Sequence, residues 1–225
     1  MNLRTPHRRL ARLGILALLA LLVACSVAQV RQLDRYKGWA SQGDDAAIVG
    51  HPTDCRADTP GCDQLRLIRG MACYRQARKG TDPVPNYGCA IEELEQGLSM
   101  ARDSGAVPQN LLPYEQALLE SLRERRDLAS SWDESLDYNR RLRSRAAEFR
   151  ERHPDRPEGD YYGASALLLE ATRQGIESAS RDSACTLLTQ ARELLDRAMA
   201  NPGELGVNLE QMARQVRRTI EQGCR

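Results

Sequence analysis

Beyond residue 28 apolar side chains return every three or four positions, and nowhere does strict alternation persist long enough to suggest a half-buried strand. This periodicity restricts the fold more than any other feature, because a stripe at 3.6-residue spacing is buried by packing helix on helix. Ala, Leu, Glu, Gln and Arg dominate, all strong helix formers, and aromatics are only 4 %. The expectation is an all-α chain with helices over about 28–41, 64–79, 87–103, 111–128, 131–152, 160–178, 183–200 and 205–223.

Short breaks separate these segments: Gly80 to Pro85, Gly105 to Pro108, His153 to Gly159, and Asn201-Pro202-Gly203. Breaks this brief fold neighbouring helices back as antiparallel hairpins. Residues 42–63, with Gly43, Gly50, Pro52, Pro60 and Gly61, form the longest irregular stretch. A loop of that length is uncommon unless it is functional or stapled, and Cys55 and Cys62 inside it favour a staple.

The first 25 residues follow a different logic. Arg4, Arg8, Arg9 and Arg12 precede an apolar run from Leu13 to Ala24, the layout of a secretory signal. Twelve residues are too few for a permanent span, which needs about 20. The run ends in Leu22-Val23-Ala24-Cys25, which resembles the lipobox of bacterial lipoproteins. That resemblance implies cleavage before Cys25 and acylation of Cys25. Residues 1–24 are then the signal peptide, 25–63 a lipidated N-terminus with the first helix and the irregular loop, and 64–225 the helical domain. Within the same resemblance, Ser26 in place of Asp implies sorting to the outer membrane, facing the periplasm. Several acyl chains anchor stably where one would be marginal.

With Cys25 lipidated, six cysteines remain: Cys55, Cys62, Cys73, Cys89, Cys185 and Cys224. An even number in an exported chain favours disulfides. Cys185 opens one expected helix and Cys224 closes the next, so an antiparallel hairpin places them side by side. Cys73–Cys89 would bridge the two helices of another hairpin, and Cys55–Cys62 would close the irregular loop. No CxxC occurs, so neither a zinc ribbon nor a thioredoxin-like site is indicated.

Two hairpins carry a recognisable pattern. Residues 67–79 read Leu-Ile-Arg-Gly-Met-Ala-Cys-Tyr-Arg-Gln-Ala-Arg-Lys and 90–98 read Ala-Ile-Glu-Glu-Leu-Glu-Gln-Gly-Leu. Gly70 with Cys73, and then Ala90, Leu94 and Gly97, resemble the small and large positions of a tetratricopeptide repeat. Ala164 and Leu167, followed by Ala191, Leu195 and Ala198, resemble a second copy that begins after Pro154. Arg69 stands where the family has Leu, no Trp precedes it, both inter-helix loops read as overlong, and the period is not a clean 34 residues. Helices 111–128 and 131–152 would form a degenerate pair between the two. The resemblance implies a short right-handed array of stacked hairpins, stapled by disulfides, with Arg214, Arg217 and Arg218 of the last helix facing water. Small-large-small spacing also arises in generic helical bundles.

Loss of the signal's four arginines takes the formal charge from +1 to about −3, a balance that implies no nucleic-acid partner. Arg140, Arg141, Arg143, Arg145, Arg150 and Arg152 form a basic stretch that pairs within its helix would largely neutralise. His51, Asp54, Asp58 and Asp63 offer donors for a divalent ion, but their spacing fits no calcium loop, and no metal or cofactor is expected. No hydrolase elbow, zincin helix or phosphate-cradling loop is present, and Glu92-Glu93 reads as a solvated pair. Trp39, Tyr74, Tyr87, Trp132, Tyr161 and Tyr162 read as core, with one of the Tyr161-Tyr162 pair lining a groove. The expected function is non-enzymatic: a membrane-anchored scaffold that docks a protein or peptide for envelope assembly, secretion or transport. Two alternatives remain, a lipoprotein that binds a small ligand for a transporter and an envelope hydrolase acting on peptidoglycan.

Overall fold

The computed structural model describes residues 30–105, 107–176 and 181–224, and every regular element among them is helical. Helix α1 covers residues 30–42. It is followed by α2 (Asp45–Val49), α3 (Cys62–Arg78), α4 (Pro83–Asp103), α5 (Pro108–Asp127) and α6 (Trp132–Arg152). The chain ends with α7 (Glu158–Ile176), α8 (Arg181–Ala200), a 3₁₀ turn at Gly203–Leu205, and α9 (Gly206–Gly223). The long irregular stretch therefore contains α2, capped by the Asp44 side chain accepting from the Ala47 amide at 3.0 Å.

Helix α4 begins earlier than the periodicity indicated. Pro83 occupies the first helical turn, where its missing N–H costs nothing, and Pro85 sits in the same turn. The connection from α3 thus shrinks to residues 79–82, and the overlong loop expected there does not exist. The corresponding stretch between α7 and α8 falls partly on residues 177–180, outside the described residues. The extra length lies in the helices, which run 17 to 21 residues from α3 to α9. Odd-numbered helices begin at 62, 108, 158 and 206, intervals of 46, 50 and 48 residues.

Each helix from α3 onward packs on the next, and α3 also touches α5, α5 touches α7, and α7 touches α9. The tightest contact is between α3 and α4. A Cβ built on Gly70 would lie 2.7 Å from Leu94 Cγ, and one on Gly97 would lie 3.0 Å from Leu67 Cγ. The two helices therefore meet through reciprocal glycine–leucine contacts, with Ala90 also fully buried. In the α7–α8 pair Ala164, Leu167, Ala191, Leu195 and Ala198 are all buried, and Gly163 receives Leu194. Where α6 turns into α7, Gly159 lies against the backbone of Arg150, a contact no larger residue allows without displacement.

The N-terminal elements close one end of the row. Tyr36 and Ile48 pack on Leu65 and Ala72 of α3. Leu33 reaches Gly61 at the start of α3, while Asp45 pairs with Arg75 and Lys79 at its end, so α1 runs in the same direction as α3. Burial alone would raise the Asp45 carboxyl, but hydrogen bonds from Arg75 and Lys79 outweigh it and hold the group below the ordinary carboxylate range.

Three disulfides join the six described cysteines. Cys55–Cys62 closes the loop before α3, Cys73–Cys89 ties α3 to α4, and Cys185–Cys224 ties α8 to the end of α9, with Cα atoms 5.6, 5.9 and 5.6 Å apart. Cys73–Cys89 and Cys185–Cys224 are the pairs expected of two hairpins, and Cys55–Cys62 the one expected to close the irregular loop. Arg214, Arg217 and Arg218 face solvent on α9.

Candidate docking groove

An extended concave face would require the odd-numbered helices to expose one side, and α7 does so only in its second half. Every residue from Glu158 to Leu167 is buried, enclosed by its neighbours. Beyond that point Leu168 and Leu169 are half-buried and Thr172 is exposed. Together with Arg123 and Arg126 of α5 and Met212 and Gln215 of α9, they line a groove of ≈ 390 Å³. Leu168, Leu169 and Met212 supply its apolar part, Ser165 also lines it, and its α5 wall carries two guanidinium groups and the Asp127 carboxylate.

The wall is rigid. Arg126 is 7 % exposed and donates to Asn139 Oδ1 at 3.1 Å, Ser165 Oγ at 3.1 Å and the Ser165 carbonyl at 3.3 Å, with Asp127 at its Nε. Asn139 in turn donates to the Ala166 carbonyl, so one network locks α5, α6 and α7. Arg123 donates to the Tyr161 hydroxyl at 2.8 Å and to Glu124 at 2.5 Å. Burial alone would lower its pKa, yet Tyr161 and Glu124 raise it and keep the charge fixed. Sequence reading did not single out these residues. The only available signal was Arg126 falling on the apolar stripe of α5.

Tyr161 and Tyr162 are both buried and meet edge to face at 5.0 Å, so neither lines a groove as expected. Burial pushes the Tyr162 phenol well above its ordinary value. Tyr74 and Tyr87 are core residues as well, while Trp132 is 43 % exposed at the start of α6. A second cavity of ≈ 400 Å³ lies beneath the Cys185–Cys224 disulfide, with Ala171, Ala184 and Leu188 among its walls.

The basic stretch on α6 is neutralised, mainly by other helices rather than within its own. Arg141 and Arg145 reach Glu95 on α4, and Arg143 reaches Glu170 on α7. Arg150 reaches Asp160, while Arg152 reaches Glu115 on α5. Arg140 instead pairs with Asp137 within α6. Five of the six arginines thus act as lateral ties, and each of the six has an acidic partner.

Glu93 overturns a second expectation. It is 4 % exposed and accepts from Arg66 at 3.0 Å, Arg69 at 2.5 Å and Thr53 at 2.9 Å, while its neighbour Glu92 faces solvent. Arg69, the departure from the repeat pattern, is therefore one half of a buried ion pair that also holds the loop before α3.

His51 of the proposed metal-donor group stacks on Trp39 at 4.8 Å, and Asp58 pairs with Arg56. No group of three or more His, Cys, Asp or Glu placed to hold a metal ion occurs among the described residues. His153 Nε2 lies 2.6 Å from Glu115 Oε2 in the α5–α6 contact, its ring against Phe149. Cys25 and the lipobox-like Leu22-Val23-Ala24 before it lie outside the described residues. No described helix is long and apolar enough to cross a membrane. No protein-family model matches the sequence, and no curated protein or solved structure matches it either.

Proposed function

We propose that the chain is a lipid-anchored envelope lipoprotein whose stacked hairpins dock a protein or peptide without catalysis. The observation that carries this reading is the succession of contacts α3–α5, α5–α7 and α7–α9, because hairpins stacked in this way share one face, which the second half of α7 leaves open as a groove. The tetratricopeptide likeness enters through the packing residues Gly70, Ala90, Leu94 and Gly97 and not through repeat length, since the intervals of 46 to 50 residues exceed 34. The groove between α5, α7 and α9 supplies Leu168, Leu169 and Met212 beside fixed charged groups, suited to an extended segment that carries both an apolar and a polar side chain. The lipobox at Leu22 to Cys25 supports the anchor, and with Ser26 it supports the outer membrane.

Affinity capture from envelope extracts with the non-lipidated 26–225 fragment tests the docking role. The expected result is a partner recovered by the unaltered fragment and lost with Leu169→Glu. Recovery of no partner, with a small molecule retained on purification, would favour the alternative of a small-ligand carrier, for which the apolar cavity beneath Cys185–Cys224 is the supporting observation. Metabolic labelling with a radioactive fatty acid tests the anchor. Label on the wild type and none on Cys25→Ala is expected, and label retained by the variant would remove the lipidation site from Cys25.

A further inference from the structure

We infer that the helical row stands on the lipid bilayer with a defined end down: the end that carries the α4–α5 turn meets the lipid surface, and the end that carries the α5–α6 turn points away from it. This inference rests on the lipid anchor at Cys25 and adds which surface of the domain the bilayer touches.

The argument begins with helix direction. Helices α1 and α3 run the same way, so Val30, at the start of α1, shares an end with Gly61 and Cys62. Contacts along the row are antiparallel. Gly70 meets Leu94 and Gly97 meets Leu67; Arg102 meets Glu115; Arg125 meets Glu134 while Arg152 meets Glu115. The α4–α5 turn is therefore at the Val30 end, and the α3–α4 and α5–α6 turns are at the other.

The tether then restricts the pose. Five residue steps from Cys25 to Val30 span at most about 17 Å. Helix α5 alone, at 20 residues, is roughly 30 Å long. A chain lipidated at Cys25 cannot place the α5–α6 turn on the bilayer without laying the whole row on its side.

The surface at the anchored end fits lipid. Among the described large apolar residues the two most exposed are Val30 at 57 % and Val107 at 54 %, and both lie there. The start of α5 also projects. Gln116 pairs with Glu158 at 2.5 Å, which sets the start of α7 level with the ninth residue of α5 and leaves the α6–α7 turn recessed by roughly 12 Å. Val107 is thus at the advanced edge, where a short apolar side chain enters the interfacial layer. Arg31 and Arg35 are exposed on α1 toward the same end, where lipid phosphates would receive them.

The test uses the lipidated full-length protein in phosphatidylethanolamine/phosphatidylglycerol vesicles that contain a lipid with a nitroxide on its headgroup. Trp132 is one reporter, in a Trp39→Phe background. Val107→Trp is the other, in a background that also carries Trp132→Phe, and Val30→Trp provides a second reporter at the same end. Emission from Val107→Trp and Val30→Trp should be largely lost on vesicles with the nitroxide lipid, while that of Trp132 is retained. Equal loss at Trp132, or retained emission at both valine positions in protein that floats with the vesicles, would overturn the orientation. Protein that does not float at all would instead remove the anchor, a failure that flotation registers before any fluorescence is read.

Discussion

Gly70 and Leu94 face each other across the first large hairpin so closely that a Cβ on the glycine would lie 2.7 Å from Leu94 Cγ and 3.1 Å from the Leu94 amide nitrogen. The backbone of α4 is part of the obstacle, so rotation of the leucine alone would not relieve it. Gly70→Ala should therefore destabilise the protein by about 1–3 kcal/mol, as overpacking does. Gly88, also helical, has nothing within 4 Å of its built Cβ. Gly88→Ala should stabilise by about 0.5–1 kcal/mol through helix propensity. Urea denaturation of both variants checks the opposite signs; the same sign in both would contradict the close-approach argument.

The second prediction concerns Glu93. Glu93→Gln leaves Arg66 and Arg69 half-enclosed without their carboxylate, and a loss of about 3 kcal/mol is expected. Glu92→Gln, one residue away and exposed, should change stability by less than about 0.5 kcal/mol. Proteolysis should also reach the loop before α3 sooner in Glu93→Gln, because one amide oxygen would have to accept from Thr53, Arg66 and Arg69 where two carboxylate oxygens did.

The disulfides should contribute in order of the loops they close. Cys185→Ser/Cys224→Ser opens a separation of 39 residues and should cost roughly 4 kcal/mol, and Cys73→Ser/Cys89→Ser, with a separation of 16, roughly 3 kcal/mol. Denaturation midpoints of the paired variants provide the measurement. An indistinguishable midpoint for Cys185→Ser/Cys224→Ser and the wild type would show that the α8–α9 tie does not restrict the unfolded chain.

Asp45 predicts a pH dependence. Its carboxyl is held below the ordinary range, so its stabilising effect is complete above the unfolded pKa, near 4, and fades as pH falls through the lower folded value. Stability of the wild type should decline with acid over that window more steeply than that of Asp45→Asn, which has no charge to lose. Parallel curves of unfolding free energy against pH would remove Asp45 from the account.

Much of the fold was legible in local pattern. Helices α5, α6 and α8 fall within a few residues of their periodic stripes, because each needs only one apolar face and a stop signal. The start of α4 was misjudged because Pro83 and Pro85 read as breakers, whereas prolines in a first turn lack nothing they need. The candidate groove was scarcely legible: Arg123 and Arg126 lie on α5, Leu169 on α7 and Met212 on α9, and no spacing within one helix links residues on three.

The sequence by itself determined that the chain is helical and that its helices fold back in neighbouring pairs, and the ends of those pairs suggested which cysteines could meet. These follow from side-chain period, short turns and loop ends, all local quantities. Only the tertiary structure decided what each charge does. Glu93 and Glu92 are adjacent and chemically identical, yet one is enclosed by two arginines and the other is solvated. Five of the six arginines of α6 likewise became ties to α4, α5 and α7 instead of an open basic face. The physical reason is that burial and partner choice depend on which helix packs opposite, and that arrangement is a property of the assembled row and not of any one segment.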